Sequence, residues 1–197
     1  MNDRDAPNGN GILTDISPLL HAVGNHGKDL VCIEVGTNRG ISTCDMLFHC
    51  QNIKEMHCVD NWEPYDDYIG SEDGSPVYSL TKMDARINEA VARISLEEHP
   101  VGEKVTIHHM DSNECANLFP DEHFDFVFVD TYLTDEQIAN DFQTWYPKVK
   151  VGGLFTGHDW FYPPLQEIVY SYREHVKTES MLTAYSNCFS WIKDKSV

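Results

Sequence analysis

Asp29 to Thr43 reads DLVCIEVGTNRGIST, and this stretch decides the fold. Five of the seven residues from Leu30 to Gly36 are apolar or Cys, and Val31, Ile33 and Val35 are β-branched. Such a run makes a strand buried on both faces, which belongs to a parallel sheet. It breaks at Gly36, and Ile41 to Cys50 then reads as a helix. Strand, glycine turn and helix form the first unit of a nucleotide-type α/β fold. The spacing is Gly-x3-Gly behind an acid, not the G-x-G-x-x-G of a dinucleotide site. Gly36 lets the backbone turn tightly and lets a ligand lie against it. The N–H groups opening the next helix suit an anion such as a carboxylate. Glu34 adds an acceptor beside them, so a ligand carrying both carboxylate and ammonium fits the pattern.

The chain has 197 residues, enough for one domain with a substantial core. Its 32 acids against 14 bases leave a net charge of −18. That surface repels phosphate backbones, so nucleic acid is not the expected substrate, while a cationic cofactor is attracted. Cys32, Cys44, Cys50, Cys58, Cys115 and Cys188 form no C-x-x-C pair and no zinc spacing. They indicate a reducing, cytoplasmic compartment. No stretch reaches the length of a membrane span. Residues 1–12 read as a loose polar tail without an apolar signal region, and 13–197 as a single domain.

Around the opening unit, Ile16, Leu19, Leu20 and Val23 share one face of a short helix, which either caps the sheet or edges the cofactor pocket. Glu55 to Asp60 is a second strand that ends in an acid, placed as in folds where such an acid bonds ribose hydroxyls. From Trp62 to Tyr78 there is no clear period, but four large aromatics (Trp62, Tyr65, Tyr68, Tyr78) are interspersed with five acids. A loop this long is either functional or disordered, and 62–79 is the expected substrate lid. In Thr81 to Glu98, Met83, Ile87, Ala90, Val91 and Ile94 recur at helical spacing. Lys104 to Met110 is a third strand. Its His108 and His109 are neighbours and point to opposite faces, so they are read as structural. Asp111 caps a helix from Ser112 to Leu118. His123 to Asp130 (HFDFVFVD) is the most hydrophobic strand and ends in an acid at the carboxyl edge, where ligands bind in such sheets. A helix from Thr134 to Trp145 follows, capped by Thr134. After a glycine turn and another strand come His158-Asp159 and an aromatic, proline-rich turn at 160–164. Then come a helix from Leu165 to Val176 and two last strands, 181–185 and 188–193.

The pattern Glu34-x-Gly36-x3-Gly40-x-Ser42 resembles motif I of the class I S-adenosylmethionine (SAM) methyltransferases. Within that class it is similar to the catechol and caffeoyl-CoA O-methyltransferases and their sugar-modifying relatives. The resemblance implies a Rossmann-like α/β fold with a seven-stranded, mostly parallel sheet and an antiparallel last strand. It implies that SAM is held by Glu34, Gly36, Thr37, Asn38, Gly40 and Ser42. Asp60, Asn61 and Trp62 would serve its ribose side, Asp111 and Ser112 its adenine side, and Asp130 the carboxyl edge. Cation-dependent members hold a divalent ion with an Asp after this strand and an acidic-amide pair after the glycine-turn strand. Here those positions are Asp130 and His158-Asp159, and His158 departs from the usual carboxylate. Gly-His-Asp followed by an aromatic also resembles the group that includes rhamnosyl and other sugar O-methyltransferases.

The chemistry so implied is in-line attack of a hydroxyl on the sulfonium methyl. An aliphatic hydroxyl is a poor nucleophile at neutral pH, and a bound metal lowers its pKa. Oxygen ligands from Asp130 and Asp159 suit Mg²⁺, and a His ligand tilts the choice toward Mn²⁺. His158 is either a ligand or the general base, since Leu133 stands where some relatives carry a basic residue. The expected acceptor is a small hydroxylated molecule, a sugar or glycan end such as a deoxyhexose, with a catechol-like phenol as the rival. A non-catalytic SAM-binding module and an NAD-dependent oxidoreductase are the competing classes. A homo-oligomer is compatible with all of these.

Overall fold

A computed structural model describes residues 12–69, 76–97, 102–131 and 134–197. Alternating strands and helices build a seven-stranded sheet. β1 (Leu30–Val35) pairs in parallel with β2 (Ile53–Asp60) on one side and with β6 (Phe124–Val129) on the other. β5 (Val105–His109) lies outside β2, and β7 (Val149–Gly157) outside β6, both parallel. The last strand, β9 (Cys188–Ile192), runs antiparallel against β7 and carries β8 (Thr183–Tyr185) at the edge. The order β5-β2-β1-β6-β7-β9-β8 is the expected Rossmann-like arrangement, with its antiparallel last strand inserted. It places the carboxyl ends of β1, β6 and β7 side by side.

Burial follows from the sequence pattern. Cys32, Ile33 and Val35 of β1 are all fully buried, as a strand covered on both faces requires. One face packs Ile33, Val35, Val127 and Phe155 under α5 (Asp135–Trp145) and α6 (Pro163–His175). The opposite face packs Cys32, Met56, Phe126 and Phe128 under α1 (Ile12–Gly24) and α2 (Ile41–His49). Ile16, Leu19, Leu20 and Val23 of α1 are the buried positions, so this helix caps the sheet. Thr134 caps α5 by a capping box with Gln137. α4 (Ser112–Ala116) is capped by Asp111, which accepts from the Asn113 and Glu114 N–H groups.

Two expectations are corrected. The stretch from Trp62 is not irregular throughout: β3 (Tyr65–Ile69) and β4 (Pro76–Leu80) pair antiparallel, with Tyr65 opposite Leu80 and Tyr68 opposite Tyr78. Tyr, Ile and Val favour strands, and Pro76 sits at the first strand position, where its missing N–H costs least. Residues 70–75 of the expected lid lie outside the described residues. So do Leu133 and the expected tail apart from Ile12, which opens α1. The second correction concerns α3 (Lys82–Glu97). The helix forms, but Met83, Ile87 and Ile94 of its apolar stripe are 65%, 47% and 61% exposed. Ala85, Asn88, Ala92 and Leu96 face the protein instead. Two contacts set this rotation: Arg39 Nε donates to Asn88 Oδ1 at 2.8 Å, and Leu96 packs against Gly40, where a Cβ would lie 2.9 Å from Leu96 Cδ1.

Candidate active site

The site is built where β1, β6 and β7 end together. The ladder carries past the strands: Asp130 N–H donates to Val35 O at 2.8 Å, and His158 N–H to Val129 O at 3.1 Å. Gly36, at φ 93°, turns directly against the Asp130 backbone; a Cβ there would sit 2.4 Å from Asp130 O. Only glycine permits that approach and that φ. On β7, Gly157 makes a similar allowance, because a Cβ there would lie 2.3 Å from the Phe189 ring.

The turn after β1 is tied to the end of β2. Gly36 and Thr37 N–H groups donate to Val59 O, and Gly40 N–H donates to Thr37 O at 2.8 Å. Asp60 accepts from Asn38 N–H and from Trp62 N–H, each at 2.8 Å, while Trp62 Nε1 donates to Asn38 O at 2.8 Å. Asn61 lends its backbone oxygen to His109, 2.9 Å away. Asn38 and Trp62 both hold positive φ, 48° and 44°, a strained state that clusters at functional positions. Burial pushes the Asp60 carboxyl above its ordinary value, against the two N–H donors.

Glu34 is fully buried beneath this turn and accepts hydrogen bonds from the Ser42 and Thr43 hydroxyls. Desolvation is the larger effect, so its carboxyl is raised to about 8 despite those donors. Glu34 therefore supports the start of α2 from below, and Ser42 is the member of that pair nearer solvent.

On the carboxyl edge, Asp130, His158 and Asp159 offer ligand atoms that all lie within 4.8 Å of one another. His158 is buried and its neighbours are partly exposed. His158 Nδ1 lies 2.9 Å from Asp159 Oδ1 and 3.5 Å from Asp130 Oδ1. Both neighbours are carboxylates that only accept, so Nδ1 is the proton-bearing nitrogen in this arrangement. Two carboxylates and an imidazole converging at this spacing are a donor set that fits a divalent cation. Asp159 holds φ 60° and is braced by Asn187, whose Nδ2 donates to Asp159 Oδ1 at 3.2 Å. Behind the three side chains a small pocket is walled by Thr131, Ile138, Phe142, Tyr162, Leu165 and Phe189.

Sequence reasoning missed Asp141. It lies on the buried face of α5 and accepts from Ser112 Oγ at 2.9 Å and Thr131 Oγ1 at 2.7 Å, joining the expected adenine side to the residue after Asp130. Its signal was present: a carboxylate in line with Ile138, Phe142 and Trp145 on an apolar helix face. Asn187 carried no such signal, because nothing local links a hairpin turn to residue 159.

A family model described as "Methyltransferase domain" matches residues 33–160. A comparison with curated protein sequences finds no match. Among solved structures, the O-methyltransferase NovP superposes with a TM-score of 0.63 at 22% identity, over 93% of this chain and 80% of that one. A putative caffeoyl-CoA O-methyltransferase from Staphylococcus aureus gives 0.64 at 13% identity, over 90% and 82%. A SAM-dependent O-methyltransferase from Thermotoga maritima gives 0.62 at 13%, over 93% and 66%. At these identities the structures establish a shared fold, and the match over 33–160 establishes more: the chain belongs to this methyltransferase-domain family, the SAM-dependent class that its glycine turn resembles.

Proposed function

We propose that the protein transfers the methyl group of SAM to a hydroxyl of a small acceptor, with a divalent cation at Asp130, His158 and Asp159. The observation that carries this reading is the contact of Gly36 with the Asp130 backbone. A donor lying on the glycine turn and an acceptor held at Asp130 are then neighbours, and alignment of two reactants is most of what such an enzyme must supply.

The residues divide the work. The turn at 36–40 and the acid at Asp60 orient the donor, and Glu34 sets the first turn of α2 through Ser42 and Thr43. A cation bound by the carboxylates would polarise the acceptor hydroxyl and lower its pKa. His158 holds a proton at Nδ1 against Asp159, so its one lone pair is on Nε2. With the cation bound there, His158 is a ligand and the polarised hydroxyl needs no other activation; where the two carboxylates alone hold the cation, Nε2 is the base that takes the acceptor proton. The aromatic and acidic residues from Trp62 to Tyr78 favour a polyhydroxylated ring, a sugar or glycan end. A second reading, a catechol-like acceptor, draws support from the apolar wall of Ile138, Phe142, Leu165 and Phe189 behind the three side chains.

The test is a methyl-transfer screen over deoxyhexoses, other sugars and catechols, with Mg²⁺ and Mn²⁺ supplied separately. Turnover is expected with one acceptor class and is expected to stop when EDTA is added. Methylation that survives the chelator removes the metal from the mechanism and leaves His158 as base. Absence of transfer to any hydroxyl, with SAM bound, sinks the O-methyltransferase reading.

A further inference from the structure

We infer that Asn187, in the turn between β8 and β9, is a positioning residue for the cation site; the inference rests on the metal-binding reading above. Asn187 holds three successive residues of the 159–161 loop. Its backbone oxygen accepts from Trp160 N–H at 3.0 Å, its Oδ1 accepts from Phe161 N–H at 3.0 Å, and its Nδ2 donates to Asp159 Oδ1 at 3.2 Å. The Phe161 N–H decides which way the amide points: it can only donate, so Oδ1 faces it and the NH₂ faces Asp159. Asp159 Oδ1 thus collects the Asn187 amide and His158 Nδ1 together. Two donors on one oxygen fix the orientation of the whole carboxylate beside Asp130.

The clamp has something to hold. Asp159 sits at φ 60°, a left-handed conformation that a non-glycine residue keeps only when its surroundings fix it. Glycine at 157 makes room for Phe189, two residues after Asn187, so the hairpin seats tightly on the end of β7. The antiparallel hairpin that closes the sheet therefore reaches back to orient a proposed ligand. Outer-shell partners of this kind set metal affinity.

The test reads metal binding directly, apart from turnover. Mn²⁺ is titrated into the full-length wild type, Asn187→Ala and Asn187→Ser, followed by electron paramagnetic resonance of free Mn²⁺. Serine is accepted in tight turns and is too short to reach Asp159, so it serves if the alanine variant folds poorly. Both variants are expected to bind Mn²⁺ about tenfold more weakly or worse, with kcat recovered at saturating metal and SAM affinity by calorimetry unchanged. Tyr185→Phe is the control. It removes the Tyr185 hydroxyl contact to Ser190 Oγ, 3.1 Å, within the same hairpin, and should leave Mn²⁺ affinity alone. In an Asp159→Ala background, Asn187→Ser should add no further loss. If Tyr185→Phe weakens Mn²⁺ as much as Asn187→Ser, the hairpin acts only through stability and the inference fails. Equal affinity in wild type and Asn187→Ser overturns it while sparing the cation site. No Mn²⁺ binding by the wild type overturns the metal reading itself, and this inference with it.

Discussion

At Gly36 a single methyl group decides whether two loops can touch. The Cβ of an alanine would lie 2.4 Å from Asp130 O and 2.7 Å from Asp130 C, both backbone atoms that cannot swing aside. The φ of 93° adds strain for any side chain. Gly36→Ala is therefore expected to cost well over ~1 kcal/mol of stability and to abolish measurable SAM binding by calorimetry. Near wild-type SAM affinity in a folded Gly36→Ala would mean that the donor does not depend on this turn. Gly152 is a useful contrast, since its φ is 86° but a Cβ there meets nothing within 4 Å. Substitution at Gly152 should carry only the backbone penalty and leave SAM binding intact.

At the scale of elements, the two faces of α3 separate what periodicity can say from what it cannot. Leu96 is fully buried against Gly40, whereas Ile94 is 61% exposed. Leu96→Ala should lose about 2–5 kcal/mol in chemical denaturation and Ile94→Ala less than about 0.5 kcal/mol. Equal losses would restore the rotation that the apolar stripe alone suggests. A stripe of Met83, Ile87, Ala90 and Ile94 is enough to mark a helix, yet its facing is set by distant partners, Arg39 and Gly40, that no local window contains. The same limit hid the β3–β4 pairing, where register depends on a partner strand several residues away. What was legible followed from chemistry that repeats locally: the buried run before Gly36, the Thr134 cap, and the acids closing β2 and β6. Those strand ends carried Asp60 and Asp130 to the carboxyl edge because a parallel sheet sends every strand end the same way. Asp159 was legible by its place after β7. Its brace, Asn187, was not, because the contact is made only when the final hairpin folds back along β7.

Across the whole molecule, two buried groups on neighbouring strands give stability opposite responses to pH. Glu34 on β1 and His57 on β2 lie one residue apart in register, since Ile33 is the residue opposite His57. Burial lowers His57 to about 4, and the nearby His108, whose Nε2 lies 3.0 Å from His57 Nδ1, adds to the effect. A base with a depressed value binds fewer protons folded than unfolded, so its contribution is complete above 6.5 and is lost as pH falls toward 4. Glu34 works the other way. Its carboxyl, raised from 4.5 to about 8, stays protonated in the fold while the unfolded chain ionises. Its contribution is therefore complete below 4.5 and is lost as pH climbs toward 8. Between 4.5 and 6.5 the two slopes oppose each other; above 6.5 only that of Glu34 remains. The thermal midpoint of the cofactor-free protein should accordingly fall from pH 6.5 to about pH 8. Glu34→Gln should flatten that limb, and His57→Gln should leave the Glu34 decline unopposed, so that the midpoint begins to fall from about pH 4.5 instead of 6.5. Scanning calorimetry on the three proteins in matched buffers measures both limbs. An unchanged decline above pH 6.5 in Glu34→Gln would show that Glu34 ionises in the fold at an ordinary pH, and that its place beneath the glycine turn is held by charge rather than by a protonated carboxyl.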